Sequence, residues 1–312
     1  MRFRPLGRTG LNVSELSYGA ARGADSPNDF DAAVHAAINA GINLIDTAEG
    51  YGESEQALGR ALAGHDDVLV ETKHLPYDSF APWAKFTGTP ATVIASAEQS
   101  LRRLRRDRID IFLGHGMRTV ESYDRFMQDG CYEAMVKLRD QGKVRYIGIS
   151  ELSEADGTHS VLNRAVPSGA FDVVMLTVNF LLPSAIYDLL PLCRQHGVGT
   201  VVMMPLNQAS KESGLISVPA ARECVRRHIE RTNLPDEPPY TSPDLFDFLE
   251  PYSIPEAALR FVLAQAIDTV CFGARSPQRI QENLRAMDPP YLDADRLDRL
   301  RSLFGSIQNQ VR

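Results

Sequence analysis

One segment sets the architecture of this chain: Ile42-Asn43-Leu44-Ile45-Asp46-Thr47-Ala48-Glu49-Gly50-Tyr51-Gly52. A short apolar run ends there in a carboxylate, and a tyrosine follows in a turn flanked by glycines. This order is typical of a buried strand that opens into an active-site loop. It predicts that Asp46 and Tyr51 lie at one mouth, at the carboxyl end of the strand.

Two further apolar runs end in side chains that can hold or transfer a proton. A lysine ends the run Val68-Leu69-Val70-Glu71-Thr72-Lys73, and a histidine ends the run Ile109-Asp110-Ile111-Phe112-Leu113-Gly114-His115. The carboxyl ends of parallel strands meet at one face of a barrel, where catalytic residues are found. We therefore expect Asp46, Tyr51, Lys73 and His115 to lie together.

These four side chains suit the protonation of a carbonyl oxygen. A phenol has an ordinary pKa of about 10, and a neighbouring ammonium such as that of Lys73 lowers it by stabilising the phenolate. Asp46 would supply the counter-charge that a buried ammonium needs. His115 would hydrogen-bond a substrate oxygen opposite Tyr51 while a hydride arrives from elsewhere. The same four groups could instead form a purely structural ion-pair network.

At these residues the chain resembles the aldo-keto reductase family. The resemblance extends from about residue 3 to about residue 288, and its ordered combination of motifs is far more specific than any one of them. The matching motifs are Leu6-Gly7-Arg8-Thr9-Gly10-Leu11-Asn12-Val13-Ser14, Asp46-Thr47-Ala48, Tyr51-Gly52-Glu53-Ser54-Glu55, Thr72-Lys73, Asp110-Ile111-Phe112-Leu113-Gly114-His115, Gly273-Ala274-Arg275-Ser276-Pro277 and Glu282-Asn283-Leu284.

The rest of the chain alternates eight strand-like runs with helical patterns. This alternation predicts an α/β fold, a parallel (β/α)8 TIM barrel, with a doubly wound open sheet as the alternative. Residues 3 to 14 predict a β-hairpin ahead of the barrel. The tail from Asp293 predicts an extra C-terminal helix. We expect residues 1–312 to form a single domain with a long loop insertion at about 205–252.

A hydride donor is required, because the four candidate catalytic residues supply a proton but no electron pair. The resemblance implies a nicotinamide dinucleotide bound without a Gly-x-Gly-x-x-Gly loop, and the sequence contains no such loop. Gly273 and Ala274 end a predicted strand where a helix begins, a place that favours a phosphate. By resemblance, the adenosine 2′-phosphate and the adenine would meet residues of one segment, Arg275, Ser276, Arg279, Glu282 and Asn283. NADP(H) is therefore favoured, and NAD(H) is the alternative.

The predicted nicotinamide end departs from the resembled family. Ser150 matches a residue that bonds the carboxamide, but Glu151 stands where an asparagine usually follows it. Met175 occupies the place of a customary glutamine. Met203 replaces the aromatic residue that usually stacks on the ring, and a thioether offers no π face. Together with Pro205 and Leu206, these residues complete the expected cofactor site.

The predicted substrate side is an aromatic loop after Lys73 and a long segment later in the chain. His74, Tyr77 and Trp83 lie in the loop, which contains Phe80 and Phe86 as well, and would wall an apolar pocket or plug the core. Residues 205–252 have a basic, helical half and an acidic, proline-rich half. A segment of this length predicts a cover for the barrel mouth that sets specificity.

Composition narrows the function classes. A net charge of −7 over 312 residues argues against a general nucleic-acid or anionic-membrane binder. No apolar run reaches the length of a membrane span and the N-terminus lacks a signal-peptide core, so a cytoplasmic location is expected. The four widely spaced cysteines indicate neither a disulfide framework nor a zinc site. The sequence does not indicate an oligomeric state.

The function predicted from these patterns is NADPH-dependent reduction of an aldehyde or ketone to an alcohol, or the reverse reaction. The substrate would be a small carbonyl compound or alcohol. Two alternatives remain. The substitutions Glu151, Met175 and Met203 would suit a dinucleotide-binding redox sensor or interaction protein with weak catalysis. The proton-transfer residues alone would suit a non-redox lyase or isomerase.

Overall fold

A computed structural model describes residues 1–21, 27–152, 156–207, 213–288 and 291–307. Within these ranges eight parallel strands close into a barrel in the order β10-β3-β4-β5-β6-β7-β8-β9. Its closure is shown by β10, which pairs with both β3 and β9. The barrel prediction is confirmed, and the open-sheet alternative is wrong. The strands are β3 Leu16–Gly19, β4 Leu44–Asp46, β5 Leu69–His74, β6 Ile109–Met117, β7 Val144–Glu151, β8 Val173–Thr177, β9 Gly199–Met203 and β10 Thr269–Gly273.

Helices surround the barrel, one or more after most strands. Between β6 and β7 two helices are present, each with its own start signal. Thr119 caps the first, and Gly130, with φ of +86°, begins the second. No helix within the described ranges has the length and apolar character needed to cross a bilayer. The helices are α1 Pro27–Asn39, α2 Ser54–Ala61, α3 Pro90–Leu104, α4 Val120–Gln128, α5 Cys131–Asp140, α6 Ser160–Ala165, α7 Leu189–His196, α8 Val218–Arg231, α9 Ile254–Leu263, α10 Pro277–Leu284 and α11 Ala294–Phe304.

The predicted hairpin is present as β1, Phe3–Pro5, paired antiparallel with β2, Asn12–Ser14. It covers the amino-terminal ends of the barrel strands. The backbone of Gly7 lies so close to that of Gly199 that a Cβ on Gly7 would come within 2.3 Å of it. Leu6, Leu11 and Val13 join the apolar side chains that fill the barrel interior. The hairpin therefore plugs the face opposite the expected active site.

Side-chain alternation in the strands sorts residues between the barrel interior and the surrounding helices. On β5, Leu69, Glu71 and Lys73 share the interior face, and Asp46 of β4 is the register partner of Glu71. Most of the interior is apolar, and it contains Leu44, Ile111, Leu113, Val173, Met175 and Val201. The carboxyl groups of Asp46 and Glu71 and the ammonium of Lys73 thus lie inside a barrel whose interior is otherwise mostly apolar.

The insertion at 205–252 contains the predicted basic helix, α8. Beyond it the chain packs on α11, the C-terminal helix that the sequence predicts. The ring of Phe246 stacks on Phe304 at a centroid distance of 6.2 Å, and Tyr240 donates to the carbonyl of Leu303 at 2.8 Å. Phe180, which follows β8, stacks on Phe304 as well. The insertion and α11 are therefore joined through one aromatic cluster.

Candidate active site

The ammonium of Lys73 lies at the carboxyl end of β5, fully buried, with the carboxylate of Asp46 as its ion-pair partner. It also donates to the carbonyl of Thr47 at 2.8 Å. Burial alone would lower the pKa of Lys73, but the negative charge of Asp46 acts in the opposite direction and the pKa is raised. Lys73 is therefore a permanent cation.

Tyr51 lies beside this ion pair. The amine of Lys73 is 5.2 Å from the centre of its ring, and its hydroxyl is 3.4 Å from Nε2 of His115. Burial raises the pKa of Tyr51 to about 12, against the opposing effect of the Lys73 ammonium. Lys73 thus acts in the direction expected from the sequence, but burial is the larger effect. The phenol keeps its proton at neutral pH, as a proton donor must.

His115 reaches the site because the pairing of β6 with β7 is irregular at this point. The register shifts between Gly114 and Met117, and Gly116 adopts a positive φ of +62°. Irregularities of this kind re-aim side chains next to active sites. Burial, followed by the charges of Lys73, Arg118 and His74, holds the pKa of His115 well below its ordinary value. The imidazole is therefore neutral, so it can donate one hydrogen bond without adding a charge.

The phenyl ring of Phe80 covers this pair of side chains. Its centroid lies 6.2 Å from that of Tyr51, nearly parallel, and 5.2 Å from that of His115, edge-on. The ring also lies over Gly50, where a Cβ would come within 2.5 Å of it. Glycine at position 50 thus leaves room for Phe80. The ring is 44% exposed, so it forms the outer boundary of the site.

Arg118, the residue after β6, holds the loop that carries Phe80. Its guanidinium donates to the carbonyl of Ser79 at 2.9 Å and to that of Ala81 at 3.2 Å. The same group lies 3.5 Å from the ring centre of Tyr77, a close cation–π contact. Both neighbours of Phe80 in the chain are thereby tied to the end of a barrel strand.

The three predicted pocket residues occupy different environments in this loop. His74 is hydrogen-bonded through Nδ1 to Glu49 at 2.9 Å. Tyr77 is buried and donates to Ser122 at 2.8 Å. Trp83 is 84% exposed. The ring that the structure brings against Tyr51 is that of Phe80.

The predicted phosphate segment lies where β10 ends and α10 begins. Ser276 caps this helix by accepting the backbone N–H of Arg279 at 3.3 Å. The guanidinium of Arg279 is exposed and is bound by Glu282 at 2.6 Å. The other residues predicted to contact the dinucleotide in this segment differ in exposure. Gly273 is exposed, Ala274 is buried, and Arg275 and Asn283 are half-buried. A helix N-terminus next to guanidinium groups is a suitable place for a phosphate.

The predicted nicotinamide residues lie on β7, β8 and β9 and in the loop after β9. Ser150 accepts the N–H of Gly116 at 2.7 Å and is the register partner of Met175, which packs in the barrel interior. Met203 is half-buried at the end of β9, with the buried Pro205 and the half-buried Leu206 beyond it. The thioether of Met203 thus stands at the rim, where a planar ring can pack on it.

Glu151 has a different setting. It is buried, and its carboxylate accepts the N–H of Thr177 at 2.8 Å and pairs with Nδ1 of His159 at 2.7 Å. The other ring nitrogen of His159 lies 2.9 Å from the hydroxyl of Ser184. Burial lowers the pKa of His159, but Glu151 outweighs it and the pKa is raised. The carboxylate of Glu151, the imidazole of His159 and the hydroxyl of Ser184 therefore form a series of hydrogen bonds that begins at the end of β7.

Glu71, Arg118 and His159 were not assigned a role from the sequence. The spacing of Glu71 two residues before Lys73 could have placed it on the interior face. Arg118 gave no such signal, because its partners are backbone carbonyls 37 and 39 residues earlier in the chain. His159 gave none either, because its partners Glu151 and Ser184, eight and 25 residues away, form no recognisable motif with it.

The model of the Aldo/keto reductase family matches residues 15–304. L-Galactose dehydrogenase of Arabidopsis thaliana is 28% identical, with 99% of this chain and 96% of that protein covered. The NADH-specific methylglyoxal reductase of Escherichia coli is also 28% identical, over 95% and 96%. A solved aldo-keto reductase from Bacillus halodurans, in its holo form, is similar with a TM-score of 0.76 and 26% identity, covering 97% of this chain and 96% of that one. These matches follow the barrel over nearly its whole length, and the chain belongs to the aldo-keto reductase family.

Proposed function

We propose that this protein is an NADPH-dependent oxidoreductase that reduces an aldehyde or ketone to an alcohol, or catalyses the reverse. One observation carries the proposal: the hydroxyl of Tyr51 and Nε2 of His115 are 3.4 Å apart at the carboxyl end of the barrel, with the Lys73–Asp46 pair directly behind them. Two hydrogen-bond donors so close together suit a single carbonyl oxygen. Tyr51 is the general acid and His115 the orienting group.

The residues act on the proton in a simple sequence. The carbonyl oxygen accepts hydrogen bonds from Tyr51 and from the neutral His115, which polarises the carbonyl carbon. A reduced nicotinamide held beside Ser150 and Met203 would supply a hydride to that carbon. As negative charge develops on the oxygen, Tyr51 transfers its proton to it, and the ammonium of Lys73 stabilises the phenolate that remains. Phe80 limits the access of water to this step.

The residues present fit a dinucleotide at its phosphate end. The capped N-terminus of α10, with Arg275 and the exposed Arg279 beside it, suits the extra phosphate of NADPH. The methylglyoxal reductase from Escherichia coli is named as NADH-specific, which supports NADH as the alternative cofactor. The two guanidinium groups favour NADPH.

A second candidate function is supported by the nicotinamide end. Glu151 already accepts from Thr177 and His159, and Met175 offers no amide. A dinucleotide held mainly by its phosphates and adenine would suit a redox sensor with weak catalysis. A lyase or isomerase using Tyr51 as its acid would need no dinucleotide at all.

The test is a set of carbonyl substrates followed through the absorbance of the reduced dinucleotide. It should include short aldehydes, α-oxoaldehydes, ketones and sugars, since relatives are named for galactose and methylglyoxal. Each is tested with NADPH and, in parallel, with NADH. Turnover with NADPH supports the reductase. Binding of NADPH without turnover of any substrate supports the sensor, and product formation without a dinucleotide supports the lyase or isomerase.

A further inference from the structure

Glu71 is a second carboxyl inside the barrel, below the catalytic lysine. It lies on β5 two residues before Lys73, and its register partners are Asp46 on β4 and Ile111 on β6. Its exposure is 0%. Most of the barrel interior around it is apolar, so this position would ordinarily be filled by an aliphatic side chain.

No donor within the described residues reaches either carboxylate oxygen of Glu71. The Lys73 ammonium directs its hydrogen bonds to Asp46 and to the carbonyl of Thr47. A buried ionised carboxylate with no donor is costly, and such a group lowers its energy by taking up a proton. Once protonated, Glu71 becomes a donor, and the carboxylate of its register partner is an acceptor.

We propose that Glu71 holds a proton in the resting enzyme and shares it with Asp46, so that the two carboxyls together carry one negative charge against the Lys73 ammonium. Glu71 is then a positioning residue that acts through Asp46. It lies behind the ion pair, and Tyr51 remains the group that meets the substrate.

The groups around Glu71 support this arrangement. Burial and then the charge of Asp46 raise the pKa of Glu71 well above its ordinary value, while Lys73 opposes the shift. The remaining titratable neighbours are Tyr51 and the thiol of Cys271 on β10, whose own pKa burial also raises. Both are neutral at pH 7. Among these described neighbours of Glu71, Lys73 is thus the one cation, and one carboxylate balances its charge.

The shared proton has a consequence for catalysis, which rests on the proposed function of Tyr51. With Glu71 neutral, the four side chains Asp46, Glu71, Lys73 and Tyr51 together have no net charge before Tyr51 transfers its proton. After the transfer they carry one negative charge. An ionised Glu71 would add a second negative charge, and that charge raises the pKa of Tyr51 further. The proton on Glu71 therefore keeps Tyr51 acidic enough to act.

Infrared spectroscopy of the full-length protein at pH 7 tests the proton directly. A carbonyl stretch from a protonated carboxyl should be present in the wild type and should shift when glutamate side chains alone carry ¹³C. A band from an aspartate such as Asp268, whose pKa burial also raises, does not shift with that label, so the label distinguishes it from the band of a glutamate. The band should be lost in Glu71→Gln. A wild-type spectrum without a glutamate-derived band overturns the proposal.

Asp46→Asn separates a shared proton from a proton held by burial alone. In this variant Glu71 becomes the carboxyl left to balance Lys73, so it should ionise and its infrared band should disappear although Glu71 is still present. Persistence of the band in Asp46→Asn contradicts the sharing.

Activity gives a second readout. Glu71→Leu removes the hydrogen bond to Asp46 and should lower kcat by about tenfold. Glu71→Gln can still donate to Asp46 from its amide and should recover most of that loss. Thermal unfolding and NADPH affinity of the two variants serve as controls. Equal kcat values for the Leu and Gln variants would overturn the positioning role. If Tyr51 proves not to be the acid, the infrared result still stands on its own.

Discussion

The phenyl ring of Phe80 stacks on the phenol of Tyr51, with the ring centroids 6.2 Å apart and the planes 25° from parallel. In the proposed mechanism, a substrate carbonyl at the Tyr51 hydroxyl would therefore lie close to this ring. The contact makes Phe80 part of the site wall, and it is maintained by a loop that Arg118 ties to the barrel.

Replacing Phe80 with alanine should widen the entrance to the candidate active site. Small apolar aldehydes lose a packing surface worth about 1.5–3 kcal/mol, so their KM should rise by about tenfold or more. Bulky ketones should gain relative to them. Steady-state kinetics with one small and one bulky substrate measure this. Trp83→Ala is the matched control, because Trp83 lies in the same loop but is 84% exposed, and its kinetics should stay near wild type. Equal substrate preference in Phe80→Ala and wild type would contradict the assignment.

Arg118→Lys should loosen the loop while keeping the charge. Lysine lacks the planar fork that donates to Ser79 and Ala81 and packs on Tyr77, a loss of about 2–3 kcal/mol. We expect faster limited proteolysis within residues 78–86 and a lower kcat/KM. Arg102→Lys, at an exposed helix end, is the control. Unchanged proteolysis of the Arg118 variant would show that these contacts of Arg118 do not hold the loop in place.

His115 should make the protein sensitive to acid. Its pKa is far below 6.5 in the folded protein, so as the pH falls below 6.5 the unfolded chain binds a proton that the folded one does not. Stability from this residue is therefore present above pH 6.5 and decreases below it, by at most about 1.4 kcal/mol per pH unit. Urea unfolding at about pH 7.5 and about pH 5.5 measures the loss. His115→Gln should lose less free energy of unfolding than wild type, and an equal loss contradicts the buried neutral imidazole.

Arg279→Ala tests the phosphate assignment. Loss of one charge-assisted hydrogen bond, about 1.5–3 kcal/mol, should weaken NADPH binding by about tenfold or more and leave NADH binding unchanged. Fluorescence titration of both dinucleotides provides the measurement. Arg285→Ala, just beyond the end of α10 and also exposed, is the control. Equal weakening of NADPH and NADH would place the 2′-phosphate elsewhere.

The barrel and the grouping of the candidate site could be predicted because they follow from strand ends. Asp46, Lys73 and His115 each finish an apolar run, and in a parallel barrel these ends meet whatever the helices between them do. The hairpin at residues 3–14 and the C-terminal helix α11 had equally local signals, a glycine turn and the N-cap residue Asp293.

The features that were missed depend on contacts between residues distant in sequence. The pKa of Tyr51 rises because the closed barrel and Phe80 remove water, which no local motif reveals. Arg118 binds the backbone carbonyls of Ser79 and Ala81. Because every residue has a carbonyl, the sequence does not indicate which of them an arginine binds. The pairing of Glu151 with His159 spans only eight residues, but His159 also contacts the hydroxyl of Ser184, 25 residues further along, and no local motif indicates that arrangement.

Tyr51→Phe tests whether Tyr51 supplies the proton to the carbonyl oxygen. The variant should bind NADPH with nearly wild-type affinity by fluorescence titration, since Tyr51 follows β4 and the segment assigned to the phosphates follows β10. Its kcat for carbonyl reduction should fall to the background rate, because phenylalanine has no proton to give. Turnover within a few-fold of wild type, with intact NADPH binding, would remove Tyr51 from the mechanism.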